Sequence, residues 1–325
     1  MMRGVPVATL AVMLAGLSFA GCTSSAQIPD PARWDDAASR PAAGATQGGL
    51  YSGRRAAYAG LRDLYVLDGG EVKLFKNHLY SPDGVITYGA GDGQADFLDA
   101  VGNLYVADDL TPMVSEFSPG ATTPSFSYNA GMIDPSNVAV DRKGDVFETD
   151  FAYGGSGFVN EYAKNVNSVL RHCSLGNPAG GIALDSANDV FVDYRHLAKS
   201  LIVEYKGGLA GCHATKLGVR FSFAGGMAVD RNGNLIVCDL VTPAVDVIAP
   251  PYNAVTRVLG SGYVYPYNVA INRENTKVFV VDADGGDENA LDVIEYSSGA
   301  VVKRLGSKQG LFDPVGVTDG PNAVY

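Results

Sequence analysis

The sequence predicts an all-β fold: a six-bladed β-propeller with four-stranded blades, closed by the C-terminal strand. Three observations predict it. Short apolar runs, LYVLD from Leu64, LYVAD from Leu104, VFETD from Val146, VFVDY from Val190, LIVCD from Leu235 and VFVVD from Val278, recur at intervals of 40, 42, 44, 45 and 43 residues. A polar turn precedes them, so that VAVDRKGDVFETD at 138–150 nearly reappears as MAVDRNGNLIVCD at 227–239. The chain ends with VGVTD, 315–319, which matches the opening strand of a repeat with no complete repeat behind it.

A period of this length holds four short strands. The runs are β-branched and aromatic and are bounded by Gly, Asn and Asp, which favours strands over a helical repeat. In the third repeat NVAVD is the first strand, RKGD the hairpin turn and VFETD the second strand. FVNEY (158–162) and SVLRH (168–172) are the third and fourth. VDVIAP with TRVLG, and LDVIEY with VVKRLG, supply the outer pairs of the fifth and sixth. Asp141 and Lys143-Gly144, with Asn103, Asp145, Asp189 and Asn234 in the same turns, bring the short polar side chains and positive φ that a hairpin requires. One four-stranded sheet cannot bury both faces, whereas six arranged radially can. The first repeat is clear only in its second strand, so the C-terminal strand is expected to complete the first blade. Residues 323–325, AVY, leave a partial seventh blade as the alternative.

Ahead of the repeats the chain divides into a leader, residues 1–21, and a tether, 22–54, with the propeller assigned to 55–325. Arg3 gives a positive start, and Val5 to Phe19 is an uncharged apolar run too short for a comfortable membrane span. LSFAGC follows, with small Ala20 and Gly21 before Cys22. This resembles a bacterial lipoprotein signal, which implies lipidation of Cys22 and a cell-envelope location. Phe19 departs from the usual Leu, so ordinary secretion and an uncleaved anchor stay open. Thr23 rather than Asp after the Cys implies, by the same resemblance, the outer membrane. The segment behind it is rich in small residues and Pro and shows no apolar period, as a flexible tether does. Trp34, the single Trp, lies there.

The formal charge is −11, and removal of the leader takes away Arg3 and no acid. That balance argues against nucleic acid or an anionic membrane surface as partner, so contact with the membrane is expected through the lipid alone. Cys173 and Cys212 sit in neighbouring repeats and are the more plausible disulfide of an exported protein, with Cys238 inside an apolar strand.

The repeats NVAVDRKGDVFETD, GIALDSANDVFVDY, GMAVDRNGNLIVCD and NVAINRENTKVFVVD resemble those of NHL-type six-bladed β-propellers over roughly residues 55–325. Related propellers include envelope-binding scaffolds as well as gluconolactonase-like and streptogramin-lyase-like enzymes, so the blade pattern specifies function poorly. No dense acid-and-amide metal centre of the gluconolactonase kind is evident, and His78, His172, His196 and His213 offer little to a lyase that needs a His base. The expectation is a non-enzymatic module that binds an envelope protein or a small-molecule or glycan ligand. The alternative is a metal-dependent hydrolase or lyase acting on a lactone or ester.

Acids present in nearly every blade are assigned to the blade. Asp99, Asp141, Asp185, Asp230 and Asp319, with Asn272, share one turn position; Asp68, Asp108, Asp150, Asp239 and Asp282 share another. Candidate site residues are the departures. Glu148 replaces the Val found at Val66, Val106, Val192, Val237 and Val280. Asp193 arrives one residue early, Tyr194 takes the usual Asp place, and Arg195 and His196 follow. This cluster is the expected ligand-binding face. A second set, Asn137, Tyr267 and Asn268, with Phe223 and Phe312, is expected at the mouth of the central channel. In DADGGDEN, Asp282, Asp284 and Asp287 resemble an oxygen-rich Ca²⁺ loop without EF-hand spacing, which makes Ca²⁺ or another divalent metal the one cofactor considered.

Overall fold

The computed structural model describes residues 63–76, 81–87, 93–152, 155–283 and 289–320. Leader, tether and the Asp284 and Asp287 positions lie outside the described residues, so the expectations that rest on them concern residues the structure does not describe. Among the described residues there is no α-helix, and the chain forms six four-stranded antiparallel sheets.

Blade 1 contains β1 (Asp63–Asp68), β2 (Glu71–Lys76) and β3 (Gly84–Thr87). Blade 2 contains β4 (Gly93–Leu98), β5 (Leu104–Asp108), β6 (Met113–Phe117) and β7 (Phe126–Tyr128). Blade 3 runs β8 (Pro135–Val140), β9 (Val146–Asp150), β10 (Phe158–Tyr162) and β11 (Val169–Ser174). Blade 4 runs β12 (Ala179–Leu184), β13 (Val190–His196), β14 (Lys199–Tyr205) and β15 (Ala214–Phe221). Blade 5 runs β16 (Ala224–Val229), β17 (Leu235–Asp239), β18 (Ala244–Ile248) and β19 (Arg257–Leu259). Blade 6 runs β20 (Pro266–Ile271), β21 (Lys277–Asp282), β22 (Ala290–Glu295) and β23 (Ala300–Leu305). The last strand, β24 (Pro314–Asp319), joins blade 1. It pairs antiparallel with β1, Val66 opposite Val317 and Leu64 opposite Asp319. The inner strands β24, β4, β8, β12, β16 and β20 contact one another in turn and close the ring.

The recurrent hairpin turn has a clear physical basis. Asp141 Oδ1 accepts the N–H groups of Lys143 (2.8 Å) and Asp145 (2.9 Å), while Gly144 sits at φ +87°. Asp99, Asp185, Asp230 and Asn272 cap the equivalent turns in the same way. Blades 4 and 6 place Asn188 and Asn275 where the others have Gly, with φ of +65° and +56°, because Asn tolerates the left-handed region better than most residues. Asp319 does not share this position. It is the last residue of β24, opposite Leu64, just as Val140 lies opposite Val146. Gly320 follows it where the other blades have Asp or, in blade 6, Asn.

The second strand of each blade is buried on both sides. Its side chains alternate between the two neighbouring blades. Val66, Val106, Val192, Val237 and Val280 each join the apolar cluster shared with the preceding blade. There are six such clusters, one at each junction between blades. Cys173 and Cys212 form a disulfide that ties blade 3 to blade 4, and Cys238 is buried and free.

Deleting residues 314–325 removes β24, opens the ring and bares the edge of β1. Thermal denaturation followed by circular dichroism is expected to show loss of the cooperative transition; a truncated chain melting like the full one would contradict closure. Replacing Cys173 and Cys212 together by Ser frees a loop of 39 residues' separation. Chain-entropy arguments put the loss at about 4 kcal/mol at most, readable by urea titration with and without reductant.

Candidate functional site

The loops entering each blade and the loops leaving its second strand open on one face, here called the mouth. In blades 1, 3, 5 and 6 the Asp that ends the second strand binds the entering loop of its own blade. Asp150 accepts N–H groups from Ile133 (2.6 Å) and Asp134 (3.0 Å), Asp239 from Ser222 (2.9 Å) and Phe223 (3.0 Å), and Asp282 from Val264 (3.0 Å) and Tyr265 (2.8 Å). Asp68 accepts from Phe312 at 3.0 Å. Asp282 also pairs with Arg304 at 3.0 Å, so the described member of the Ca²⁺-like loop is engaged in holding blade 6 together. Among the described residues, no group of three or more His, Cys, Asp or Glu is placed to hold a metal ion.

The expected Glu148–Asp193 cluster does not converge. Glu148 occupies the strand position that faces the preceding blade, Asp193 the next position, which faces the following one. Glu148 therefore lies between blades 2 and 3, where Asn160 donates to its Oε2 at 3.1 Å while Oε1 finds no partner among the described residues. Asn160 in turn contacts Tyr162 Oη (3.1 Å) and His172 Nδ1 (2.9 Å). Burial first, and then the nearby Asp150, raise the Glu148 carboxyl well above its ordinary range. Asp193 lies between blades 4 and 5, packed over Gly180 and Gly181 and accepting the Gly181 N–H. Burial pushes it up to about 8, against the opposing pull of that N–H and of Arg195. Tyr194 joins the apolar cluster between blades 3 and 4. His196 is exposed at the end of β13.

Arg195 does belong to a site-like grouping. Its guanidinium stacks on the Phe223 ring at 3.4 Å. Tyr265 and Tyr267 stack with centroids 6.3 Å apart, and Tyr267 Oη donates to Gln94 Oε1 at 2.9 Å, linking blade 6 to blade 2 at the mouth. The same face carries exposed apolar side chains: Leu110, Ile133, Leu197 (90 % exposed), Val264 and Phe312 (65 %).

Below the mouth the central channel contains a cavity of about 90 Å³, lined by all six inner strands. Asn137 and Asn268 line it, as does Asp96, a residue that sequence reasoning missed. Register shows why Asp96 is unusual. It pairs with Val106 where Val138, Ile182, Met227, Val269 and Val317 occupy the equivalent place. Both its carboxyl oxygens are buried without a hydrogen-bond partner among the described residues, and burial raises it well above its ordinary range. The signal was available in the first strand of blade 2, GQADFL, but that strand lacks the apolar-Ala-apolar-Asp pattern that marks its relatives.

No family model and no curated protein matches the sequence. Solved structures do: 933 chains resemble this one in fold, a number large enough that the fold alone cannot select a function. One is similar over 80 % of this chain and 99 % of its own, with TM-score 0.67 and 15 % identity, in the crystal structure of a nidogen/laminin complex. The chain is thus a six-bladed β-propeller of a widely shared architecture.

Asp193 and Asp319 are raised to about 8 and about 7, and Asp246 and Asp292 to about 6, each chiefly by burial. Between the unfolded and folded values the native state holds more protons than the unfolded chain, so stability is greatest in acid and falls as pH rises. Urea melts are expected to show lower stability at about pH 8 than at about pH 5, and the fall to shrink in Asp193→Asn. A variant with the same fall as the parent would show that Asp193 does not carry the effect.

Proposed function

We infer that the protein is a lipid-anchored cell-envelope propeller, with NHL-type blades, that acts as a non-enzymatic binding module and docks another envelope protein on its mouth. The carrying observation is that the mouth face carries the Arg195–Phe223 and Tyr265–Tyr267 stacks together with exposed Leu110, Ile133, Leu197, Val264 and Phe312. Aromatic residues with Arg are the side chains on which protein interfaces concentrate their energy. A propeller of the same fold comes from a complex of two proteins, which supports the reading by analogy. The leader, LSFAGC and the tether support the anchor, and the disulfide fits an oxidising compartment.

Leu197→Asp and Phe312→Asp together are expected to leave melting unchanged, since both side chains are solvent-exposed, and to abolish cross-linking to the partner in intact envelopes. Unchanged cross-linking would remove the mouth from consideration. Radiolabelled fatty acid is expected to enter the parent protein and not Cys22→Ala; equal labelling would refute the anchor. Turnover of a lactone panel that is lost with chelator would favour the enzymatic reading instead.

A further inference from the structure

We propose that a cleft between blades 5 and 6 binds a hydroxylated carboxylic acid of monosaccharide size, a free sugar acid or the end of an acidic polysaccharide, with Arg257 receiving the carboxylate. The hairpins joining first to second strands and the turns joining third to fourth strands lie on the face opposite the mouth, and the cleft opens among them. It is a second site, independent of the docking assigned to the mouth.

One register, followed around the ring, picks the cleft out. Where the third strand pairs with the fourth, blades 2, 3 and 4 place Glu116, Glu161 and Glu204 opposite Phe126, Arg171 and Thr215. In blade 3 the two residues form an ion pair, Glu161 with Arg171. Blade 5 keeps the arginine and loses the acid: Arg257 stands opposite Val247. Blade 6 exchanges the same acid for Val293, opposite Lys303. Of these two valines, Val247 lines the cleft, as does Arg257. The cleft has a volume of about 460 Å³, within the range of roughly 300–1,000 Å³ in which small-ligand sites fall.

The guanidinium is positioned without being neutralised. It lies over the Tyr296 ring at 4.4 Å and donates to the Ser297 carbonyl oxygen at 3.3 Å, both in blade 6. Tyr296 is fixed in turn by its hydroxyl, which donates to Asp230 Oδ2 at 2.9 Å. Arg257 forms no ion pair among the described residues. Asp230, the acid in the lining, is taken up by its own turn: Oδ1 accepts the N–H groups of Asn232 and Asn234, and Oδ2 accepts the Asn234 amide and the Tyr296 hydroxyl. Arg257 is half-buried, and Asn232 and Thr256 beside it are exposed, so a ligand reaches all three. A guanidinium is a planar fork of donors matched to a carboxylate, and here it lacks the carboxylate that Glu161 gives Arg171. The rest of the lining asks for donors. Thr256 Oγ1 donates to the Val247 carbonyl oxygen at 2.9 Å and keeps its lone pairs as acceptors. Asn234, its Nδ2 spent on Asp230, keeps Oδ1 as an acceptor. A cation is repelled by Arg257, and a bare inorganic anion leaves those acceptors without donors. Hydroxyl groups beside a carboxylate satisfy both.

Isothermal titration calorimetry on the full-length protein tests this, with galacturonate as one arm, oligogalacturonate as the other and galactose as the uncharged control. Binding in the first arm identifies a free sugar acid, and binding in the second alone identifies a polysaccharide end. Galactose, which differs from galacturonate in lacking the carboxylate, is expected to bind on the order of tenfold more weakly or less. Arg257→Gln keeps a planar amide and removes the charge; it is expected to melt like the parent and to weaken acid binding on the order of tenfold or more. Val247→Glu installs the acid that blades 2, 3 and 4 carry, gives Arg257 an internal partner, and is expected to cause the same loss. Should Val247→Glu fail to fold, Arg257→Gln decides alone. Absence of binding in both acid arms, galactose binding as tightly as galacturonate, or undiminished binding in a folded variant would overturn the proposal. The double variant at Leu197 and Phe312 is expected to bind the acid normally, so failure of mouth docking and failure of the cleft are separately visible.

Discussion

Every feature of this molecule depends on a strand borrowed from the far end of the chain. A four-stranded sheet with apolar side chains on both faces is insoluble alone. It becomes stable when each face meets another sheet, and in a ring this works only if the last blade meets the first. The pairing of β24 with β1 makes that junction, and the cluster of Leu64, Val66 and Val317 with Ala270, Phe279 and Val281 fills it. Because β24 is the inner strand of blade 1, it also completes the wall of the channel. The cavity and the closure are one construction.

The repeat made the architecture legible. Strand-two runs, the Asp-capped hairpins and the orphan C-terminal strand each have a local physical cause, and local causes are visible in sequence. The misplacement of Asp319 shows the limit. VGVTD aligns with NVAVD by composition, yet the ladder puts Asp319 opposite Leu64, one place earlier than Asp141 in blade 3. β24 pairs with β1 from the far end of the chain and not through a hairpin, so no capped turn pins Asp to the turn position there, and the pattern slides by one residue. In a strand that slip changes which face a side chain takes.

The candidate site was less legible, for a related reason. Glu148 and Asp193 stand at the third and fourth places of their strands. Alternation alone sends one to the preceding blade and the other to the following blade. What sequence could not supply was the set of partners each would meet: Asn160 for Glu148, and the Gly181 N–H for Asp193. Convergence across a ring arises from register in strands far apart in the chain. The residues that do converge, Arg195 on Phe223 and Tyr267 with Gln94, join blades 4 with 5 and 6 with 2.

Departure from a repeat is not by itself a sign of function, and the three buried acids show it. Glu148 and Asp193 break the pattern and yet receive hydrogen bonds from within the fold. Their placement is paid for by neighbours that hold the blades together, which is reason enough for them to persist. Asp96 breaks the same pattern and receives no side-chain hydrogen bond from any described residue. A scaffold that repeats one register six times had an apolar solution available here and used it five times. The Asp96 carboxyl sits over Gly316 of blade 1 with both oxygens buried, so it belongs, like Glu148 and Asp193, to a junction between blades.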